Sequence, residues 1–226
     1  MTRMTNARIA GFTFLFYIAA GIAGLVLFGR ATSGEGMAAK LAGIAQHATD
    51  VGVVVVLDLL QCFSALVLAV TLYAITREQD PDLAMLAMTC RVAEGVIPAI
   101  GMRKTLDLLW LATATGADAP GPESAHALGA FLLRGGGLPI DASFFAVGST
   151  LFSWLLLRGR MIPIALAWLG VVASVLLVVG LPLQLAGVLR SPASQLVWIP
   201  MAAFEIPLAL WLIIKGVATP ARSPSA

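Results

Sequence analysis

Residues 51–75 read VGVVVVLDLLQCFSALVLAVTLYAI, in which Asp58 is the one charged side chain and Gln61 the one carboxamide. The apolar residues are contiguous. They show neither the 3.6-residue spacing of an amphipathic helix nor the alternation of a half-buried strand. A hydrocarbon core of about 30 Å is crossed by roughly 20 such residues in an α-helix, fewer than this run supplies. A helix satisfies its own backbone N–H and C=O groups without water, so the stretch is read as a transmembrane helix that carries polar groups inside the membrane.

The flanks are polar on both sides. Before the run lies Arg30 to Asp50, with Gly34, Gly36, Lys40 and His47, and its portion from Met37 to His47 suits a short interfacial helix. After it comes the charged turn Arg77-Glu78-Gln79-Asp80-Pro81-Asp82. Pro81 fits the first position of a helix and Asp82 the positive end of its dipole.

Similar apolar runs recur along the chain. They predict helices over 9–28, 51–75, 83–113, 138–157, 162–180 and 195–214, an all-α integral membrane bundle of about six transmembrane helices within residues 1–216. Residues 217–226, rich in Pro, Ser and Ala, are expected to form a disordered cytoplasmic tail. The third run would be roughly 46 Å long at ~1.5 Å per residue, so it is expected to tilt, protrude or bend near Pro98 and Gly101. The fifth can continue past Pro182 to Leu189. A short helical piece is expected at Ser124 to Arg134, followed by a break at Gly135-Gly136-Gly137 ahead of Pro139.

Composition agrees with a membrane protein. The chain is 59% hydrophobic and 12% charged, against about 25% charged in soluble domains, which leaves too little polar surface to cover a globule in water. The net charge of +2 gives no nucleic-acid footprint. Arg outnumbers Lys, a weak pointer to a GC-rich bacterial genome. Arg3 and Arg8 precede an apolar run too long for the core of a signal peptide, so an uncleaved first helix is expected. With the N-terminus inside, Arg3, Arg8, Arg77, Arg158, Arg160, Lys215 and Arg222 face the cytoplasm, while Arg30, Lys40, Arg134 and Arg190 face outward. The positive-inside rule then puts both termini in the cytoplasm of a bacterial inner membrane.

Charged groups at the centre of a bilayer cost about 2.5–3.5 kcal/mol on insertion scales, so each needs a partner or a function. The candidates are Asp58 and Gln61 on the second helix, Arg91 and Glu94 on the third, Asp141 on the fourth and Glu205 on the sixth. Asp58 and Gln61 share a face, as do Arg91 and Glu94, each pair three residues apart. One reading is an outward-facing polar pocket in which Arg91 balances Asp58, Glu94 and Glu205. The other is an intrahelical Arg91–Glu94 pair, with Asp58 and Glu205 as interhelical polar contacts.

Other chemistry has little support. Cys62 and Cys90 lie in apolar segments without metal-ligand spacing, and His47 and His126 are far apart, so no metal site and no cofactor are expected. There is no Gly-x-Ser-x-Gly elbow or His-Glu-x-x-His motif, and the glycine run lacks the Lys-Ser/Thr of a phosphate-binding loop. Ser64, Ser149 and Ser153 fit helix packing. Pro207, two residues after Glu205, would leave a backbone carbonyl unbonded beside that acid.

Four motifs, in order, carry a family resemblance. They are Arg8-Ile9-Ala10-Gly11, Arg91-Val92-Ala93-Glu94, Arg158-Gly159-Arg160-Met161-Ile162-Pro163 leading into Leu169-Gly170-Val171, and Glu205 followed by Leu208-Ala209-Leu210-Trp211-Leu212-Ile213-Ile214-Lys215-Gly216. Together they resemble the bacterial membrane proteins grouped as domain of unknown function 4386. The resemblance implies a multi-helix membrane protein without an established activity, and it singles out Arg91, Glu94 and Glu205 without giving them catalytic roles. The Gly135 to Gly137 stretch departs from the pattern.

Three functions stay open. With no nucleophile–base set, the sequence favours a non-catalytic accessory or regulatory protein, partnered by the lipid bilayer and by another membrane protein or further copies of itself. The intramembrane acids alternatively suggest binding or transport of a small molecule or ion. The third reading is a lipid-modifying enzyme with Glu94 or Glu205 as acid or base.

Overall fold

The structure is a computed structural model, and it describes residues 1–116, 119–134, 140–189 and 196–219. These residues form helices and turns, with no strand among them. In chain order the helices are α1 (Arg3–Ala31), α2 (Gly36–Gln46), α3 (Ala48–Thr76), α4 (Pro81–Val96), α5 (Pro98–Thr113), α6 (Pro122–Arg134), α7 (Ile140–Arg158), α8 (Ile164–Leu185) and α9 (Ile199–Ile214). Among the described residues, five stretches are long and apolar enough to cross a membrane: α1, α3, α4 with α5, α7 and α8. The shorter apolar α9 joins them. The protein is an all-α membrane helical bundle.

Helix ends follow local chemistry that hydrophobicity alone does not report. Helix α1 starts six residues earlier than the apolar run, because the Thr2 hydroxyl accepts the Thr5 N–H at 3.1 Å and caps it. Helix α4 is capped by Asp80, whose Oδ1 accepts the Leu83 N–H at 3.2 Å, with Pro81 at the first helical position. The expected long third helix is two helices, α4 and α5, separated at Ile97. Pro98 has no N–H to donate to the preceding turn, and the Ile100 N–H turns instead to the Ile97 carbonyl at 3.1 Å. Pro182 sits inside α8, which runs on to Leu185. The expected break at Gly135 to Gly137, the start of the fourth helix at 138, the residues Pro139, Arg190 and Gln195, and Arg222 in the tail lie outside the described residues.

The helices pack as two compact units. The first comprises Met1–Tyr17, Phe63–Val96 and Pro139–Ala226; the second comprises Ile18–Cys62 and Ile97–Leu138. Helices α1 and α3 contribute to both, whereas the Ile97 break separates α4 in the first from α5 in the second.

In the first unit α7 packs along both α4 and α8, and α9 lies on α8. Its core includes Phe14, Leu68, Leu72, Phe145, Phe152, Leu177, Phe204 and Leu208. Two glycines permit close approach. A Cβ at Gly148 would lie 3.2 Å from the Ala87 carbonyl oxygen of α4, and one at Gly170 would lie 2.5 Å from the Phe204 ring and 2.7 Å from Ser153 Oγ. Helix α7 ends with Arg160 N–H on the Leu157 carbonyl and Met161 N–H on the Leu156 carbonyl, both at 3.0 Å. That is a Schellman cap, and its left-handed residue is Arg160 (φ 49°) rather than the neighbouring Gly159.

The tail expectation is corrected in part. Val217 packs against the core, and the Ala218 N–H bonds the Met161 carbonyl at 2.9 Å, so the chain is held beyond residue 216. Residues 220–226 lie outside the described residues.

In the second unit α2 packs against α5 and α6, around Ala31, Ile44, Val51 and Leu108. On α3, which crosses from this unit into the first, the exposed Val53, Val56, Leu60, Phe63, Val67 and Val70 recur every three or four residues. An exposed apolar stripe of this kind suits contact with hydrocarbon rather than water.

Candidate functional site

The site lies in the first unit and is built around Arg91. Helix α4 places Arg91 and Glu94 one turn apart on its buried face, with only 1% and 3% of their side chains exposed. Arg91 Nη1 donates to Glu94 Oε2 at 2.7 Å. The Tyr17 hydroxyl of α1 donates to Glu94 Oε1 at 3.1 Å. Both carboxylate oxygens of Glu94 therefore accept a hydrogen bond.

Two aromatic rings complete the guanidinium's surroundings. The Arg91 guanidinium carbon lies 4.9 Å from the centre of the Phe145 ring on α7 and 5.7 Å from that of Phe14 on α1. Negative ring faces stabilise a cation without consuming its N–H donors. Arg91 Nε is buried and has no hydrogen-bond partner among the described residues.

Arg91 also lines a crevice. Arg91, Ser149, Ser153 and Glu205 supply its polar lining, and Phe14, Phe152, Met201 and Phe204 are among its apolar walls. The volume open to the centre of a water molecule is about 10 Å³, on the order of one water. Glu205 of α9 is 9% exposed and within electrostatic reach of Arg91 and Glu94. It makes no hydrogen bond or ion pair with a described residue. Pro207 withholds an N–H from the Ala203 carbonyl on the same helix.

The six residues singled out from sequence divide between the units. Arg91, Glu94 and Glu205 come together. Asp141 stands in the first turn of α7, near enough to Glu94 to act on it electrostatically, and makes no ion pair with a described residue. Asp58 and Gln61 belong to the second unit, where they face glycines of α1. Asp58 Oδ1 would lie 3.9 Å from a Cβ at Gly24, and Gln61 Nε2 would lie 2.7 Å from one at Gly21.

Sequence reasoning missed Tyr17, Phe14 and Phe145. The one signal for Tyr17 was a phenol inside an apolar run, whose hydroxyl needs a partner when buried. Ser149 and Ser153, which fit helix packing by sequence, are both buried and both line the crevice.

Among the described residues, neither Cys62 nor Cys90 is in a disulfide. No group of three or more His, Cys, Asp or Glu side chains is placed to hold a metal among the described residues.

The fold and the buried polar cluster define a multi-pass helical membrane protein with ionisable groups held inside the bundle. The family model described as Domain of unknown function (DUF4386) matches residues 9–216, and the chain belongs to that family. Neither a search of curated proteins nor one of solved structures returns a match.

Proposed function

We propose that this protein is a non-catalytic accessory or regulatory component of a bacterial cytoplasmic membrane, with both termini in the cytoplasm. The observation that carries this reading is the buried ion pair of Arg91 and Glu94, in which both Glu94 oxygens are taken. Each is the other's ion-pair partner, Tyr17 takes the remaining carboxylate oxygen, and the adjoining space is on the order of one water. Such a cluster holds the bundle in one arrangement and leaves no room there for an organic substrate. The orientation rests on the excess of Arg and Lys at the loops assigned to the inside.

On this reading the partners are lipid and either a second membrane protein or further copies of the chain, reached through apolar helix faces such as that of α3. The test is gentle extraction from the native membrane followed by native mass spectrometry. A stoichiometric second subunit, or a defined homo-oligomer, supports the proposal. A monomer carrying a specific small organic molecule overturns it.

A second reading, binding of a small ion or proton, draws on Glu205. That residue is buried beside a cation that Glu94 already neutralises.

A further inference from the structure

We infer that the crevice between Arg91 and Glu205 is an internal water and proton site: one water bridges Arg91 Nε–H and the Glu205 carboxyl, and Glu205 is the group that takes up and releases the proton. This goes beyond the accessory role and does not depend on a partner existing.

The orphan donor is the first argument. An Arg Nε–H with no partner at full burial costs on the order of 1–3 kcal/mol, and buried donors of this kind are ordinarily met by protein or by ordered water. This nitrogen belongs to a side chain 1% exposed, and the crevice that it lines has room on the order of one water. Ser149, Ser153 and Glu205 line the same space, so side chains able to give a water the two to four polar partners it needs are at hand.

Charge counting is the second. The groups acting on Glu205 are Arg91 and Glu94 of α4 and Tyr17 of α1; Asp141 of α7 acts on Glu94. Helix α8, packed against α9, contains no ionisable residue, and α3 contributes Leu72 to the crevice. One guanidinium thus faces two carboxyl groups at membrane depth, where an unbalanced charge is costly. A single proton on one carboxylate makes the cluster neutral.

Hydrogen bonding decides which carboxylate carries it. Both oxygens of Glu94 already accept from Tyr17 and Arg91, the pattern of an ionised acid, and a proton on either would weaken that acceptor. Glu205 has no such donors among the described residues. Uptake is simply carboxylate plus proton giving carboxylic acid, relayed through the bridging water.

The test is infrared difference spectroscopy of the whole protein in lipid bilayers, stepping the pH. The wild type is expected to show the C=O stretch of a protonated carboxylic acid that responds to pH and shifts in heavy water. Glu205→Gln should abolish it, and Glu205→Asp, kept in case the first variant does not fold, should move it. An O–H stretch sensitive to heavy-oxygen water should accompany the wild-type signal. Absence of the acid band from the wild type overturns the proposal, as does its unchanged persistence in either variant. Absence of the heavy-oxygen shift overturns the bridging water.

Discussion

Tyr17 and Glu94, 77 positions apart, are joined by a hydrogen bond of 3.1 Å from the phenol to one oxygen of the carboxylate, whose other oxygen holds Arg91. This bond ties α1 to α4 inside the first unit. A tether of this kind fixes a helix rotationally, because apolar packing alone tolerates small slips along and around the axis.

Tyr17→Phe removes the hydroxyl and keeps the ring. The expected loss is about 1–3 kcal/mol, the range for a buried hydrogen bond to a charged group together with the acceptor it leaves behind. Thermal unfolding in a mild detergent, followed by tryptophan fluorescence, should show a lower midpoint than wild type. An unchanged midpoint would mean that the bond carries no net stability.

Arg91 and Glu94 should behave as a unit. Arg91→Met leaves Glu94 buried without its cation, at a cost on the order of 3–5 kcal/mol, whereas Glu94→Leu leaves Arg91 with Glu205 as a remaining counter-charge and should cost less. The double variant removes both charges and should be more stable than Arg91→Met alone, even though Tyr17 loses its bond to Glu94. Comparing the yield and melting of the three proteins checks this; additive losses would refute the coupling.

Gly170→Ala should loosen the contact between α8 and α9. The new methyl would meet the Phe204 ring and Ser153 Oγ at distances no relaxed packing permits, and overpacking typically costs about 1–3 kcal/mol. Phe204→Leu added to Gly170→Ala should recover part of the loss, measured as the same melting midpoint. No recovery would place the strain elsewhere.

Arg160→Gly should stabilise the protein. Arg160 is exposed and adopts the left-handed conformation that ends α7, a conformation that costs a non-glycine residue about 1–2 kcal/mol. A rise in melting temperature is expected. A fall would show that the Arg160 side chain contributes more than its backbone costs.

Much of the fold was legible before any coordinates. The uninterrupted apolar character of residues 51–75 fixed a membrane helix at α3, because length and hydrophobicity alone decide what a bilayer accepts. For the third run the sequence left tilt, protrusion or a bend near Pro98 open, and the missing N–H of Pro98 accounts for the break found there. Less visible were the ends that depend on capping: Thr2 and Asp80 as caps, and Arg160 rather than Gly159 as the left-handed residue, since backbone angles at a helix end depend on what the following segment packs against.

The candidate site divides in the same way. Spacing of three residues on a helix was enough to pair Arg91 with Glu94, a local relation set by helical geometry. Tyr17, Phe14, Phe145 and Ser153 join that pair only through the packing of α1, α4 and α7, and the assignment of Asp58 and Gln61 to the second unit has no trace in their spacing. The sequence by itself determined that charges would be buried and which of them are neighbours along one helix. The tertiary structure alone decided which other helices supply their partners, because contacts between helices depend on side-chain shape across an interface, and hydropathy carries no record of shape.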